Sequence, residues 1–282
     1  VNYSMGDDPQ LWSEFATNLY SMNVRLQKDK GEQMHADSVT FGMREFTIKD
    51  SRFAINHRPI YLRGTLECAI FPKTGYPPTD TAAWGRIFRR IKQYGLNHMR
   101  FHSWCPPEAA FTAADKEGIY LQVECGSWAN QGAELGSGFP LDQWIYGESQ
   151  RIVEEYGNHP SFCMMAYGNE PAGEKHREYL SEFLEYWKNK DDRRIYTSAS
   201  GWPLIDANQF HVAPQPRIQG WGEGLNSVIN REQPNTAFNH EGFVSNYEVP
   251  VVGHEIGQWC VYPDFDEMKK YTGVLKPKNF EI

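Results

Sequence analysis

The rhythm of apolar and polar residues changes near residue 52. Before it, "NLYSMNVRLQ" (18–27) alternates the two classes, "KDKGEQ" (28–33) reads as a turn, and "HADSVTFGMREFTIKD" (35–50) alternates again. A period of two places successive side chains on opposite faces, so these segments are expected to be strands. Two or three strands bury no face by themselves. Residues 1–50 are therefore expected to be the end of a β-sandwich domain that begins upstream of Val1.

Beyond residue 52 strands and helices alternate. "PIYLRGT" (59–65) is strand-like, and "DTAAWGRIFRRIKQYG" (80–95) carries Trp84, Ile87, Phe88 and Ile91 at helical spacing before a closing glycine. "LNHMRFHS" (96–103) is the next strand; "PPEAAFTAADKEG" (106–118) is a helix with prolines at its start and glycine at its end. Then follow strand "IYLQVEC" (119–125), helix 141–157, strand "FCMMAY" (162–167), helix "EKHREYLSEFLEYWKN" (174–189), and strands "RIYTSAS" (194–200), "NQFHVA" (208–213) and "VPVVGHEIGQW" (249–259). Between the last two lies a Gly-, Asn- and Pro-rich segment, 214–248, whose length suits a working loop over an active face. Seven βα-type units in series imply a parallel sheet, and a barrel wants eight. The expected fold class is α/β: a (β/α)8 TIM barrel over residues 51–282, either cut short of its last strand and helix or completed by further sequence.

Composition narrows the partners. A formal net charge of −8 without a basic run disfavours nucleic acid and anionic membrane. No stretch approaches the roughly 20 apolar residues needed to span a bilayer. The 9 tryptophans and 15 tyrosines exceed what a core of this size needs and suit a surface that stacks sugar rings. Cys68, Cys105, Cys125, Cys163 and Cys260 are scattered without a CxxC pair, so they read as mostly buried free thiols rather than a zinc site. The start at Val1 reads as a piece of a longer or processed product. The compartment stays unassigned, with periplasmic or secreted as a guess, and so does the oligomeric state.

In such a barrel the active site lies at the C-terminal ends of the strands. The first strand ends on Arg63 with Glu67 beyond; the second on Arg100, His102 and Trp104; the third on Glu124, with Trp128 following. The fourth ends on Asn169 and Glu170, the sixth on His211, the seventh on His254 and Glu255. Each has a plainer explanation. Glu170 could be a helix-starting acid, Arg100 and Glu255 a structural ion pair, His102 and His211 half-buried histidines, and Trp104, Trp128 and Trp221 ordinary packing. Glu67 and Glu124 could be solvated rim acids. Convergence of five strand ends on one place favours chemistry. Carboxylates on strands four and seven, facing each other about 5–5.5 Å apart, could break a glycosidic bond. The nucleophile would then need a cationic neighbour, for which Arg100 is placed, and the acid a less polar setting.

The residues also resemble a known family. "FGMREFTIKDSRFAINHRPIYLRGT" looks like the junction in glycoside hydrolase family 2 where an immunoglobulin-like domain passes into a catalytic barrel. "YGLNHMRFHSWCPPEAAFTAADKEGIYLQVE" resembles that family's second and third strands, "YGNEP" its acid/base motif, and "VPVVGHEIGQW" its nucleophile strand. The resemblance implies a retaining, exo-acting β-glycosidase without cofactor or metal, galactosidase-like in the first instance. Glu170 would be the acid/base, Glu255 the nucleophile, and Asn169 a contact to the hydroxyl beside the anomeric centre. Arg100, His102, Trp104, Trp128, His211 and Trp221 complete the expected substrate-binding set. Glu241 in "NHEG" competes for the nucleophile, but it follows a polar segment whereas Glu255 caps an apolar strand. The sequence departs from the family's galactosidases in having "GTLECAIFPKTGYPP" where they carry a His-rich stretch, and the glucuronidases' asparagine-lysine element is not visible. The rival readings are a non-catalytic carbohydrate-binding or truncated barrel, and a metal-dependent hydrolase on His102, His211 and His254. No short ligand spacing supports the metal reading.

Overall fold

The computed structural model describes residues 3–29, 31–220, 222–233, 237, 239–258 and 264–282. The alternating segments form an antiparallel hairpin of β1 (Tyr20–Gln27) and β2 (Gln33–Phe41), almost wholly exposed. The run expected as one strand over 35–50 is broken at Gly42, where a Cβ would stand 2.5 Å from Pro160 Cγ. Arg44, just beyond, donates to the carbonyls of Pro160 and Phe162 and fastens the chain to the start of a later strand. Next, β3 (Phe46–Lys49), β4 (Arg52–Ile55) and the two-residue β5 (Arg58–Pro59) form a small antiparallel sheet.

Five parallel strands follow in sequential spatial order: β6 (Gly64–Glu67), β7 (His98–Phe101), β8 (Tyr120–Glu124), β9 (Phe162–Ala166) and β10 (Ile195–Thr197). Isolated parallel bridges carry the curvature from Ser200 to Val212 on β11 (His211–Ala213), which pairs with β12 (Val251–Gly253). Helices α1 (Thr81–Gln93), α2 (Glu108–Glu117), α3 (Pro140–Tyr156) and α4 (His176–Lys190) cover the outside. Their limits have local causes. The Asp80 carboxylate accepts from the Ala83 amide at the start of α1, and Gly118 ends α2 in a left-handed conformation. Seven barrel strands are thus present among the described residues, five in one sheet and two in another, with isolated bridges between them.

Alternation along the strands separates two cores. Leu121, Val123 and Phe101 face the helices with Phe111, Ile145 and Phe183. Tyr120, Met164, Phe210 and Val212 form the base of the barrel, which Trp12, Phe46 and Phe53 close from below. Trp12 is fully buried and donates its indole N–H to the Asp115 carbonyl at 2.8 Å. Residues before 50 therefore contribute to the barrel's base as well as to the exposed hairpin.

The first barrel strand begins five residues later than its apolar run suggests. Pro59 pairs back onto β4, and Arg63 stands before β6, its amide held by the Asn97 side chain. Arg63 therefore belongs to the lower end of the strand and not to the rim. Of the cysteines, Cys125 and Cys163 are buried, Cys105 is half-buried and Cys68 is exposed; Cys260 lies outside the described residues. No helix among the described residues is long and apolar enough to cross a membrane.

Candidate active site

The inward positions of the strands turn polar toward their C-terminal ends. On β8, Gln122 and Glu124 are both fully buried; on β7, Arg100 is 6% exposed. The Arg100 guanidinium grips Glu124 at 2.6 and 3.2 Å and donates to Asn169 Oδ1 at 2.6 Å. Glu124 also accepts from the Ser200 hydroxyl at 2.5 Å, the Ser103 amide at 2.7 Å and Gln122 Nε2 at 3.2 Å. Burial works to raise the Glu124 carboxyl; the Arg100 charge and hydrogen bonds, with Ser200 and Ser103, outweigh it and hold it below the ordinary carboxylate range. Glu124 is a buried anchor, not a solvated rim acid. Arg100 is its partner first and stands 3.8 Å from Glu255.

The end of β9 is fixed by close approach. A Cβ on Gly168 would lie 2.3 Å from the Ser127 carbonyl oxygen, so only glycine lets the strand come this near. Asn169 then donates its amide to Ser127 O at 3.0 Å and Glu170 to Ser200 O at 2.9 Å. Glu170 (φ 36°) and Glu255 (φ 50°) both adopt left-handed backbone conformations. For residues with a side chain this costs about 1–2 kcal/mol, and such strain concentrates where function aims a group.

The two glutamates meet. One carboxylate oxygen of each, and a ring nitrogen of His254, lie within 4.8 Å of one another. Glu170 accepts from Trp128 Nε1 at 2.9 Å, and His254 Nε2 stands 3.4 Å from an oxygen of each glutamate. His102 Nε2 lies 3.6 Å from Glu255, and Gln258 donates to its other oxygen at 2.5 Å. The His254 ring nitrogen close by, aided by Trp128 and Asn130 against burial, holds the Glu170 carboxyl below its usual value. The less polar setting expected for Glu170 is therefore not what surrounds it: the Trp128 indole N–H and the His254 ring stand against its carboxylate. Burial and the nearby Arg100 charge lower His102, whose ring packs edge-on to Trp128 with centroids 4.8 Å apart.

Glu170, His254 and Glu255 are also where a cation would be held. The donor chemistry does not fit one. Arg100 Nη1 lies 3.4 Å from His254 Nδ1, and a guanidinium only donates. Nδ1 is therefore the acceptor, and Nε2, which faces the carboxylates, carries a proton where a metal needs a lone pair.

A cavity of about 1970 Å³ opens beside these groups, with Arg100, His102, Trp128 and Glu255 on its wall. Trp104 reaches it with one edge while packing on Trp84 and Phe101. His211 is not gathered into the site. It begins β11 instead of ending it, and it contacts Asn208 at 3.0 Å and the Tyr247 ring. Trp221 falls outside the described residues. Sequence reasoning missed Gln122, Ser200 and the role of His254. Gln122 sits two residues before Glu124, the spacing that returns to the same strand face, and this was the available signal.

Parallel strands with outer helices, and carboxylates converging at their C-terminal ends, define an α/β-barrel of the kind that carries its chemistry on strand ends. Comparison with known proteins gives the family. The model described as "Glycosyl hydrolases family 2, TIM barrel domain" matches residues 46–215, and one described as "Glycosyl hydrolases family 2" matches residues 5–44. The chain belongs to glycosyl hydrolases family 2. The barrel match contains Arg100, Glu124, Asn169 and Glu170, and it ends before Glu255.

Among relatives, a beta-galactosidase large subunit of Latilactobacillus sakei is 27% identical over 206 residues, covering 68% of this chain and 32% of its own length. A putative beta-glucuronidase of Formosa agariphila is 25% identical over 202 residues, covering 69% and 18%. A beta-glycosidase structure from Bacteroides vulgatus superposes with a TM-score of 0.62 at 19% identity, over 87% of this chain and 29% of that one. The chain thus spans less than a third of the length of these relatives.

Proposed function

We propose that this chain carries the catalytic centre of a retaining, exo-acting β-glycosidase that hydrolyses terminal β-linked sugars. The observation that carries the reading is the approach of the Glu170 and Glu255 carboxylates, an oxygen of each within 4.8 Å of the other, with Glu255 on the wall of a large cavity. That separation suits direct attack; an inverting pair leaves room for a water and stands about 6.5–9.5 Å apart.

In this reading Glu255 attacks the anomeric carbon while Glu170 protonates the leaving oxygen. Glu170 then removes a proton from the water that breaks the glycosyl ester. Asn169 supports it further. Its Oδ1 is held by Arg100, and its buried Nδ2 has no hydrogen-bond partner, so a donor is left unused. A sugar hydroxyl beside the reacting carbon would satisfy it. Trp128 and His102 form the apolar wall, and no organic cofactor or metal takes part. The names of the relatives put a β-galactoside first and a β-glucuronide second as the sugar. Residues 1–50 are read, on the same footing, as the last part of an immunoglobulin-like sandwich domain, and 51–282 as the catalytic barrel.

The test is hydrolysis of nitrophenyl β-galactoside, β-glucoside and β-glucuronide by the chain and by two variants. Glu255→Ala is expected to abolish turnover. Glu170→Ala is expected to retain some turnover of substrates with good leaving groups and to be rescued by azide as a β-glycosyl azide. Turnover that survives Glu255→Ala, or an α-configured azide product, overturns the reading.

A further inference from the structure

His254 is fully buried between the two glutamates, yet it has no place in the two-carboxylate scheme above. Charged or titratable groups from several elements face it. Arg100 comes from β7 and His102 follows it, Glu124 ends β8, Glu170 lies beyond β9, and Glu255 is its neighbour in the chain. With Nδ1 occupied as an acceptor by Arg100, the ring has one proton to offer, and it sits on Nε2. This nitrogen is 3.4 Å from Glu170 Oε1 and 3.4 Å from Glu255 Oε1. It makes a well-formed hydrogen bond to neither. A buried donor left equidistant from two acceptors is poised to move between them, since an unmade bond in this setting is costly.

We propose that His254 is a positioning residue that offers one N–H to Glu255 and Glu170 in turn and so couples their charge states through the catalytic cycle. The proposal rests on the glycosidase reading of the same site. Before attack, anionic Glu255 competes for the Nε2–H, and Glu170 is freer to hold the proton it must donate. Once Glu255 is esterified, its oxygen carries no charge and accepts weakly. The donor then turns to Glu170 and favours the carboxylate needed to deprotonate water. No bond is made or broken at the imidazole; only its hydrogen bond moves. The site agrees in one respect: His254 is the foremost cause that holds the Glu170 carboxyl down. Gly201 leaves room for the arrangement, because a Cβ there would stand 3.1 Å from Glu170 Cγ and 3.4 Å from His254 Nε2.

The test reads the Glu170 carboxyl directly, by carbon-13 NMR titration of the δ-carbon in the 282-residue chain, with circular dichroism to verify folding. His254→Ala is expected to raise the Glu170 midpoint by about one pH unit, the scale of losing one hydrogen bond to a charged group. His254→Gln, which keeps an N–H at similar reach, is expected to restore most of it. Glu255→Gln mimics the uncharged ester. It is expected to lower the Glu170 midpoint, and by less when His254 is Ala. A fall from Glu255→Gln that is equal with and without His254 overturns the proposal, as does a midpoint indifferent to His254→Ala. Because the titration needs no turnover, a chain inactive on every aryl glycoside would remove the glycosidase reading while the coupling is still decided. If the chain is active, kcat on a dinitrophenyl glycoside should show its acidic limb displaced upward in His254→Ala; a uniform drop in kcat with the limb unmoved counts against the proposal.

Discussion

The two halves of the site are built differently. Glu170 follows the third strand of an arc, β7 to β10, whose residues are all buried and which an isolated bridge from Ser200 to Val212 continues. Glu255 follows β12, a three-residue strand, half-buried and exposed, that pairs with β11. Residues of β6 and β12 line the same cavity that Glu255 lines. On the arc, position is set by strand register, by the Gly168 contact and by the Arg100–Glu124 lock. On the seam it is set by Gln258 and by groups reaching across from β7. The Glu170 half is thus held by the Arg100–Glu124 network, and the Glu255 half borrows its order from the arc.

The strongest way to break this contrast is to remove the lock. Arg100→Met leaves Glu124, with 0% exposure, without its counter-charge. The expected loss is about 3–5 kcal/mol, the cost of an uncompensated buried charge. Urea denaturation would measure it. Since Arg100 also holds Asn169 and faces His254 and Glu255, activity should fall even where the variant still folds. A loss below 1 kcal/mol would mean that the network is not the arc's anchor.

A paired truncation compares arc and seam directly. Met164→Ala on β9 empties a fully buried position in the barrel's base and is expected to cost about 2–5 kcal/mol. Val252→Ala on β12 removes less volume from a half-buried position and is expected to cost about 1 kcal/mol. Equal losses in thermal unfolding would show that the seam is packed as firmly as the arc.

This contrast also accounts for what was legible in the sequence. The arc strands were found close to their limits because buried parallel strands read as apolar runs, as in "FCMMAY" and "IYLQVEC". Glu170 and Glu255 stood out as acids closing such runs, and the structure brings them together. The first strand was set too early because "PIYLRGT" is apolar for two reasons: Pro59 belongs to the small basal sheet, and Ile60 and Leu62 pack on the base. His211 was misplaced at a strand end because a three-residue strand gives too little periodicity to fix its direction. The partnership of Arg100 with Glu124 was hidden for a different reason. Strand ends show which charges converge, but not which pair satisfies the other's hydrogen bonds.

Acid titration offers a smaller effect with a definite sign. The folded protein holds Glu124 and Glu170 below the ordinary value of 4.5. The unfolded chain then binds protons on them more readily, so their contribution to stability is whole above that value. It is lost as pH falls through the lower folded values. Unfolding free energy measured by urea from pH 6 downward should therefore decline below about pH 4.5, and the decline should be shallower in Glu170→Gln. Glu170→Gln removes the arc's contribution at the tip while the Arg100–Glu124 lock remains. An unchanged slope would show that the tip carboxylate adds nothing to the acid response.

The smallest expected effect separates the two donors on Glu170. Trp128→Phe deletes the indole N–H that lies 2.9 Å from Oε2 but keeps an aromatic ring against His102. Trp128 is 42% exposed, so water can take the place of the lost donor, whereas nothing can replace the buried His254 N–H in the same way. The Glu170 midpoint should consequently rise in Trp128→Phe, but by less than in His254→Ala. Stability should change by no more than about 0.5 kcal/mol, as for other surface changes. The same titration reads both variants. If the tryptophan change moved the carboxyl more than the histidine change, order at Glu170 would come from the open rim, and the division between a fixed arc and a borrowed seam would have to be redrawn through Glu170 itself.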